Sequence, residues 1–392
     1  LMRAWQRAVP WFFPHGGAPQ ARYLYVSRVA LASATCAHRG LTRSDAPLAL
    51  LPATNRDIRD IFRVFGLSLR DLQDFLARHA LAVNAPLNPL YAGWREQNWR
   101  RFEALLQDAS FQAAVQQQTQ AQGRLVERYL EQEGFFELPT VGVVDIGWLG
   151  TIQRFLAEAI AHRTDKPHIH GFLLGSTSGA ALPSIAWNQV EGFLYDRSRS
   201  SSTGRAITYA LDIFEEALRA PHAGVMGYAE QGGRIEPVLQ AETDPERLGE
   251  IEQNAHYAPL QEAIPPAVER YAAAVTCLGL TAADNRPWLN HLVTMRLAFP
   301  RRAEMQSLQV KHHADQYSAA RQPPLRARLE LLRLWDLPPA LLPIPGLRLA
   351  FYAWTLVGLP YVQRAGNLMR GLKNQARRIL LGPPQAAGGA PD

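Results

Sequence analysis

Apolar and polar positions change rhythm several times along the chain, and each change marks a predicted element. Tyr23-Leu24-Tyr25-Val26 is a short apolar run closed by Ser27-Arg28, which predicts a buried strand feeding a loop. From Asn55 to about Phe135 the spacing becomes helical. Ser68 with Asp71 three residues later predicts a capped helix start, followed by Leu69, Leu72, Phe75 and Leu76 on one face. Trp94 to Glu133 is long, polar and Gln-rich, with Trp99, Phe102, Leu105, Leu106, Leu125 and Tyr129 as its apolar stripe. Residues 55–135 therefore read as a helical insertion.

The rhythm then switches to short buried runs. Val141-Gly142-Val143-Val144-Asp145 predicts a buried strand, Ile146 to Gly150 a glycine-bearing turn, and Thr151 to Ala161 a helix. His168 to Gly175 and Val190 to Tyr195 predict two more strands, and about Ala206 to Arg219 a helix. Gly224 to Tyr228 and Ile235 to Leu239 form a possible hairpin around Gly232-Gly233. Strand–helix–strand alternation of this kind predicts an α/β fold with a mainly parallel, Rossmann-like sheet. The expected organisation is an α/β core over 20–240 and a helical region over 241–340. An apolar and basic tail over 341–381 and a disordered Pro/Gly/Ala-rich end over 382–392 follow. No internal repeat is visible.

Composition narrows the class. Of 392 residues, 47% are hydrophobic and 19% charged, which excludes wholesale disorder. The two cysteines, Cys36 and Cys277, make no metal-spaced pair, and the simple expectation is a reducing compartment. The net charge of +6 is unevenly placed. Arg348, Arg364, Arg370, Lys373, Arg377 and Arg378, against Asp392 alone, put nearly all of it in the tail. The body is close to neutral, so no nucleic-acid partner is expected. The first residues contain no apolar core with a small-residue cleavage site, and the start at Leu1-Met2 suggests a segment upstream.

The sharpest local feature is the strand ending in Asp145, the turn with Gly147 and Gly150, and the helix opening at Thr151. Ligands of open α/β sheets bind at the carboxyl ends of strands, and free N–H groups at a helix start favour an anion such as phosphate. Asp145 can bind a sugar hydroxyl or a cation, or act as base or nucleophile. The alternative is that Asp145 caps the helix and the glycines serve only the turn. Ser27-Arg28 repeats the logic: Arg28 can clamp phosphate bidentately and Ser27 can donate a hydroxyl, or Arg28 is a surface residue beside a turn. Gly175-Ser176-Thr177-Ser178-Gly179 suits the lining of the same crevice. His168 and His170 share a strand face, but no third ligand stands at a recognised spacing, and no metal site is expected. No Walker loop, Gly-x-Gly-x-x-Gly pattern, Gly-x-Ser-x-Gly elbow or His-Glu-x-x-His helix occurs.

Asp145-Ile146-Gly147-Trp148-Leu149-Gly150-Thr151-Ile152-Gln153 resembles the downstream part of bacterial haloacid-dehalogenase-like proteins associated with glycosyltransferases and surface-polysaccharide synthesis. Tyr23 to Arg28, Gly171 to Gly175, Phe214-Glu215, Ala220-Pro221-His222 and Gly227-Tyr228 match in the same order, with a looser likeness through Phe299-Pro300 and Glu304. The phosphatase-like part of such proteins opens with Asp-x-Asp. Here Asp145 is followed two residues later by Gly147, so the second carboxylate is missing and phosphatase chemistry does not transfer. What the resemblance implies is a capsule or O-antigen biosynthesis protein handling a phosphorylated sugar or nucleotide-sugar. Asp145 would be its catalytic residue, and Ser27, Arg28, Gly147, Trp148, Gly150, Thr151, Gln153 and Ser176 its ligand and phosphate contacts. The reaction stays open between sugar-phosphate hydrolysis and transfer; no cofactor is named, although Asp145 suits a divalent cation such as magnesium. The alternative is a non-catalytic module that binds glycan precursors or a partner glycosyltransferase.

The tail decides the expected location. Ile344 to Val362 is almost wholly apolar, yet Arg348 lies inside it and Pro345 and Pro360 bound it. Beyond it the basic residues alternate with Leu368, Met369, Leu372, Ile379 and Leu380. Three alternatives stand: 344–380 lies on an anionic membrane surface, completes the protein's own core, or spans the bilayer. The expected location is cytoplasmic, peripheral to the inner face of the cell membrane under the first alternative.

Overall fold

In the computed structural model, which describes residues 1–45, 57–84, 87, 97–176, 187–196, 207, 211–243, 245–298 and 308, the helical and strand rhythms separate into layers. The chain opens with α1 (Met2–Phe12) and α2 (Arg28–Arg39). Helices α3 (Ile58–Val64), α4 (Leu69–Arg78), α5 (Gln97–Leu106) and α6 (Ala109–Gln132) follow. Ser27, Asp57, Ser68 and Asp108 are the N-caps of α2, α3, α4 and α6, each side chain accepting a backbone N–H of the first turn. Asp108 thereby divides the Gln-rich stretch into two helices.

The next segment builds a sheet. Strands β1 (Thr140–Asp145), β2 (His168–Ser176) and β3 (Asn188–Asp196) pair in the order β1-β2-β3, all parallel, with α7 (Thr151–Ala159) crossing between the first two. After α8 (Leu211–Leu218), strands β4 (Val225–Gln231) and β5 (Arg234–Leu239) form a separate antiparallel hairpin. Gly232 and Gly233 at its tip have φ of 57° and 80°, the left-handed pair that a two-residue hairpin turn demands. Helices α9 (Pro245–Cys277) and α10 (Ala282–Ala298) close the described chain, and Arg7 of α1 pairs with Glu269 of α9. The protein is thus mixed α/β with a three-stranded parallel sheet.

Among the described residues, one apolar cluster joins helices α2 through α7 with the sheet and the hairpin. It takes Leu31 from α2, Phe62 from α3, Phe102 from α5, Phe111 and Val126 from α6, Phe155 from α7 and Ile169 from β2, all with almost no exposure. Each such Phe, Leu or Ile contributes about 1.5–3 kcal/mol by leaving water.

Two expectations are corrected. Tyr23 to Val26 does not form a strand. Tyrosine hydroxyls take up the Tyr25 backbone instead: Tyr129 Oη accepts from Tyr25 N–H at 2.8 Å, and Tyr228 Oη donates to Tyr25 C=O at 2.7 Å. With no strand there, helices α3 to α6 are not inserted between two strands, and they share the core of α2 and α7. The second correction concerns β1, which is not buried. Among the described residues it pairs with β2 and lies at the sheet edge, its residues alternating between exposed and half-buried, with Val144 at 66% exposure.

Among the described residues no helix is long and apolar enough to cross a membrane. The tail readings over 341–381 and 382–392 lie outside the described residues, as do Thr177, Ser178 and Gly179.

Candidate functional site

The turn after β1 is shaped by its own carboxylate. Asp145 is half-buried, and its side chain accepts the backbone N–H groups of Gly147 and Ile146. A Cβ at Gly147 would come within 2.7 Å of Asp145 Oδ2, so a larger residue there would displace the carboxylate. Burial raises the Asp145 pKa above the ordinary carboxylate range; the two N–H donors and the charge of Arg28 oppose that shift without reversing it. Gly150 then takes a left-handed conformation (φ 65°) as the N-cap of α7 and offers no side chain to cap it. The first turn of α7 therefore lacks the side-chain acceptor that opens α2, α3, α4 and α6, and its N–H groups carry the positive end of the helix dipole.

Helices α2 and α7 run side by side in the same direction, because Arg39 in the last turn of α2 reaches Glu158 near the end of α7 at 2.6 Å. Their N-terminal ends, Ser27-Arg28 and Gly150-Thr151, consequently share the opposite end of the molecule. That end is also where the parallel strands finish, in Asp145, Ser176 and Asp196. Arg28 is close enough to Asp145 to act on its ionisation, although the two are remote in sequence. The structure thus brings Arg28, Asp145, Gly147, Gly150, Thr151 and Ser176 to one end, with Thr151 itself buried.

The other predicted contacts serve the interior. Ser27 Oγ accepts from Ala30 N–H at 3.1 Å and donates to Val225 C=O at 2.5 Å, so this buried hydroxyl caps α2 and ties it to β4. Trp148 is buried, donates from Nε1 to Glu215 Oε1 at 2.6 Å, and meets Phe214 edge-on. Its ring fills the space above Gly175, where a Cβ would stand 2.7 Å from Trp148. Gln153, buried in α7, donates from Nε2 to Asn188 Oδ1 at 2.7 Å and to Gln189 C=O at 2.8 Å. Its Oε1 has no hydrogen-bond partner and lies over Gly171, where a Cβ would come within 1.6 Å.

Beside Ser27 stands a group the sequence reading did not assign to the site. Tyr23 Oη and His222 Nε2 are 2.7 Å apart, and the Tyr25 ring lies 4.8 Å from that of His222. Tyr23 is 43% exposed, so an aromatic face opens next to the Arg28 end. Both Tyr23 and His222 fall in segments that carry the resemblance, but nothing local in the sequence joined them. His168 and His170 do not converge on a ligand set: the His170 ring stacks on Phe172 at 4.8 Å. Among the described residues, the metal-competent group is instead His38, Glu127 and His162.

No protein-family model matches the chain, and no curated protein matches it.

Proposed function

We propose that the chain is a bacterial surface-polysaccharide biosynthesis protein that binds a phosphorylated sugar or nucleotide-sugar at the shared end of α2 and α7. The observation that carries this reading is the meeting of Arg28 and Asp145 at an α7 N-terminus with no side-chain cap. Backbone N–H groups from Gly150-Thr151 onward cradle phosphate, and Arg28 offsets its charge. Asp145 accepts a sugar hydroxyl, and the exposed Tyr23 gives the apolar face of a sugar ring a surface to lie on. Three parallel strands finish on this side, which supports the reading because ligands of open α/β sheets bind at strand carboxyl ends. The resemblance to glycosyltransferase-associated haloacid-dehalogenase-like proteins supports the same class of ligand. A divalent cation at Asp145 would find one carboxylate already accepting two N–H bonds.

That engagement of Asp145 also favours a second reading, a non-catalytic module for glycan precursors or a partner glycosyltransferase, held at the inner membrane face by residues 344–380. The test is a thermal-shift series on the full chain with inorganic phosphate, a hexose 1-phosphate and a uridine-diphosphate sugar. A ligand at about 100 times its Kd stabilises by about 2.7 kcal/mol. The expected result is a shift with a phosphorylated sugar that Arg28→Gln and Asp145→Ala remove. Absence of a shift with every compound overturns the binding site. Given binding, release of phosphate or nucleotide on incubation separates the enzyme from the module.

A further inference from the structure

We propose that His38, Glu127 and His162 form a binding site for a divalent transition-metal ion, zinc foremost. The three side chains come from separate elements: His38 from the last turn of α2, Glu127 from α6, and His162 from the turn after α7. Their donor atoms lie within 4.8 Å of one another. The two imidazole rings stack with centroids 3.5 Å apart and planes 19° apart, and metal binding would splay them so that both Nε2 lone pairs aim at one ion. The two Nε2 atoms meet one carboxylate oxygen, Glu127 Oε1, at 3.1 and 3.2 Å. A tetrahedral metal with bonds of about 2.0–2.1 Å separates its ligands by about 3.3 Å, so these two edges are already close to the required length.

Two histidines from different elements thus converge on the same oxygen of one acid. The second oxygen has its own partner: Arg163 Nη1 lies 3.5 Å from Glu127 Oε2. Arg163 is in turn held by Glu131 at 2.7 Å and by Asp165 at 2.7 Å, so its charge is balanced away from the proposed metal. This arrangement orients the carboxylate in the way that outer-shell partners orient metal ligands. Two imidazoles and one carboxylate are a borderline donor set that suits zinc, nickel, copper or cobalt rather than magnesium or calcium. The imidazole side chains are 45% and 33% exposed, which gives the ion a path from solvent and leaves a coordination position for water. A bound ion would pin the C-terminal ends of α2 and α7 to α6, the end opposite Arg28, so this site is independent of the proposed sugar-phosphate function.

The test is calorimetric titration of Zn²⁺ into the metal-free full chain, with Co²⁺ as a spectroscopic substitute. The expected result is one site of this kind, giving cobalt visible bands of low coordination number. His38→Ala and His162→Ala should each weaken zinc by at least about 10–100-fold, and Glu127→Gln should also weaken it. A His168→Ala/His170→Ala variant should leave it intact. Circular dichroism without metal verifies that each variant is folded, and zinc-edge X-ray absorption on the unmodified chain should count two imidazoles. A folded His38→Ala/His162→Ala variant with unchanged affinity overturns the site. So does a wild-type chain with no saturable binding, or a zinc spectrum with fewer than two imidazoles.

Discussion

The two ends of the α2–α7 pair are built on opposite rules. At the C-terminal end, charges are matched against each other inside the protein. Arg39 donates to both oxygens of the fully buried Asp45 at 2.7 and 2.9 Å and to Glu158 at 2.6 Å. Arg154, itself buried, donates to Glu158 at 2.8 Å and reaches Asp45 at 3.4 Å. At the N-terminal end, a carboxylate stays partly desolvated above its ordinary pKa, beside an arginine and a helix start with no side-chain cap. The first end holds the helices in register. The second holds a perturbed carboxylate at a helix start, the kind of setting in which functional groups cluster.

The largest way to break this comparison lies at the matched end. Arg39→Ala should destabilise the chain by about 3 kcal/mol, the lower part of the range for breaking a buried pair, because Arg154 and Thr42 still serve Asp45. Urea unfolding measures it, and a loss below about 1 kcal/mol would mean the network is a surface feature. Next is the contact between α7 and the sheet. Gly171→Ala should cost about 1–3 kcal/mol by forcing Gln153 out of place. Gln153→Ala on the same background should recover part of that loss in a double-mutant cycle, and strict additivity would refute the steric argument.

Ser27→Ala should cost about 1 kcal/mol, the usual value for a lost N-cap, with the stranded Val225 carbonyl adding to it. The smallest effect sharpens the comparison most. Because burial raises the folded pKa of Asp145, the folded chain keeps that proton over a pH window where the unfolded chain has lost it. Stability from this group is fully present below the ordinary aspartate pKa and is lost as pH rises through the folded value. Asp145→Asn should therefore be slightly more stable than wild type at neutral pH and flatten the profile across that window. A neutral-pH loss would instead make Asp145 a purely structural cap.

Much of the architecture was legible in local pattern. The run from Val141, the alternation His168 to Gly175 and the Gly232-Gly233 turn specify backbone geometry within a few residues, and the structure has β1, β2 and the hairpin there. The caps at Ser68 and Ser27 are equally local, although Ser27 was read as a ligand donor. Tyr23 to Val26 misled because an apolar run reports burial and extension, not the identity of the hydrogen-bond partner. Here Tyr129 and Tyr228, each more than a hundred residues away, replace a neighbouring strand.

The candidate site divides along the same line. Asp145, Gly147 and Gly150 were visible because a strand, a turn and a helix start are contiguous. Trp148 and Gln153, read as ligand contacts, pack inside the protein, and nothing in the sequence says that Gly175 and Gly171 open space for them on β2. What the sequence alone determined is therefore whatever depends on neighbours a few residues apart: helical period, caps, turns and the parallel strand run. The meeting of Arg28 with Asp145, the convergence of His38 and His162 on Glu127, and the edge position of β1 belong to tertiary structure. Those relations arise when amphipathic helices bury their apolar faces on one another, and that choice of partner sets which distant polar groups meet.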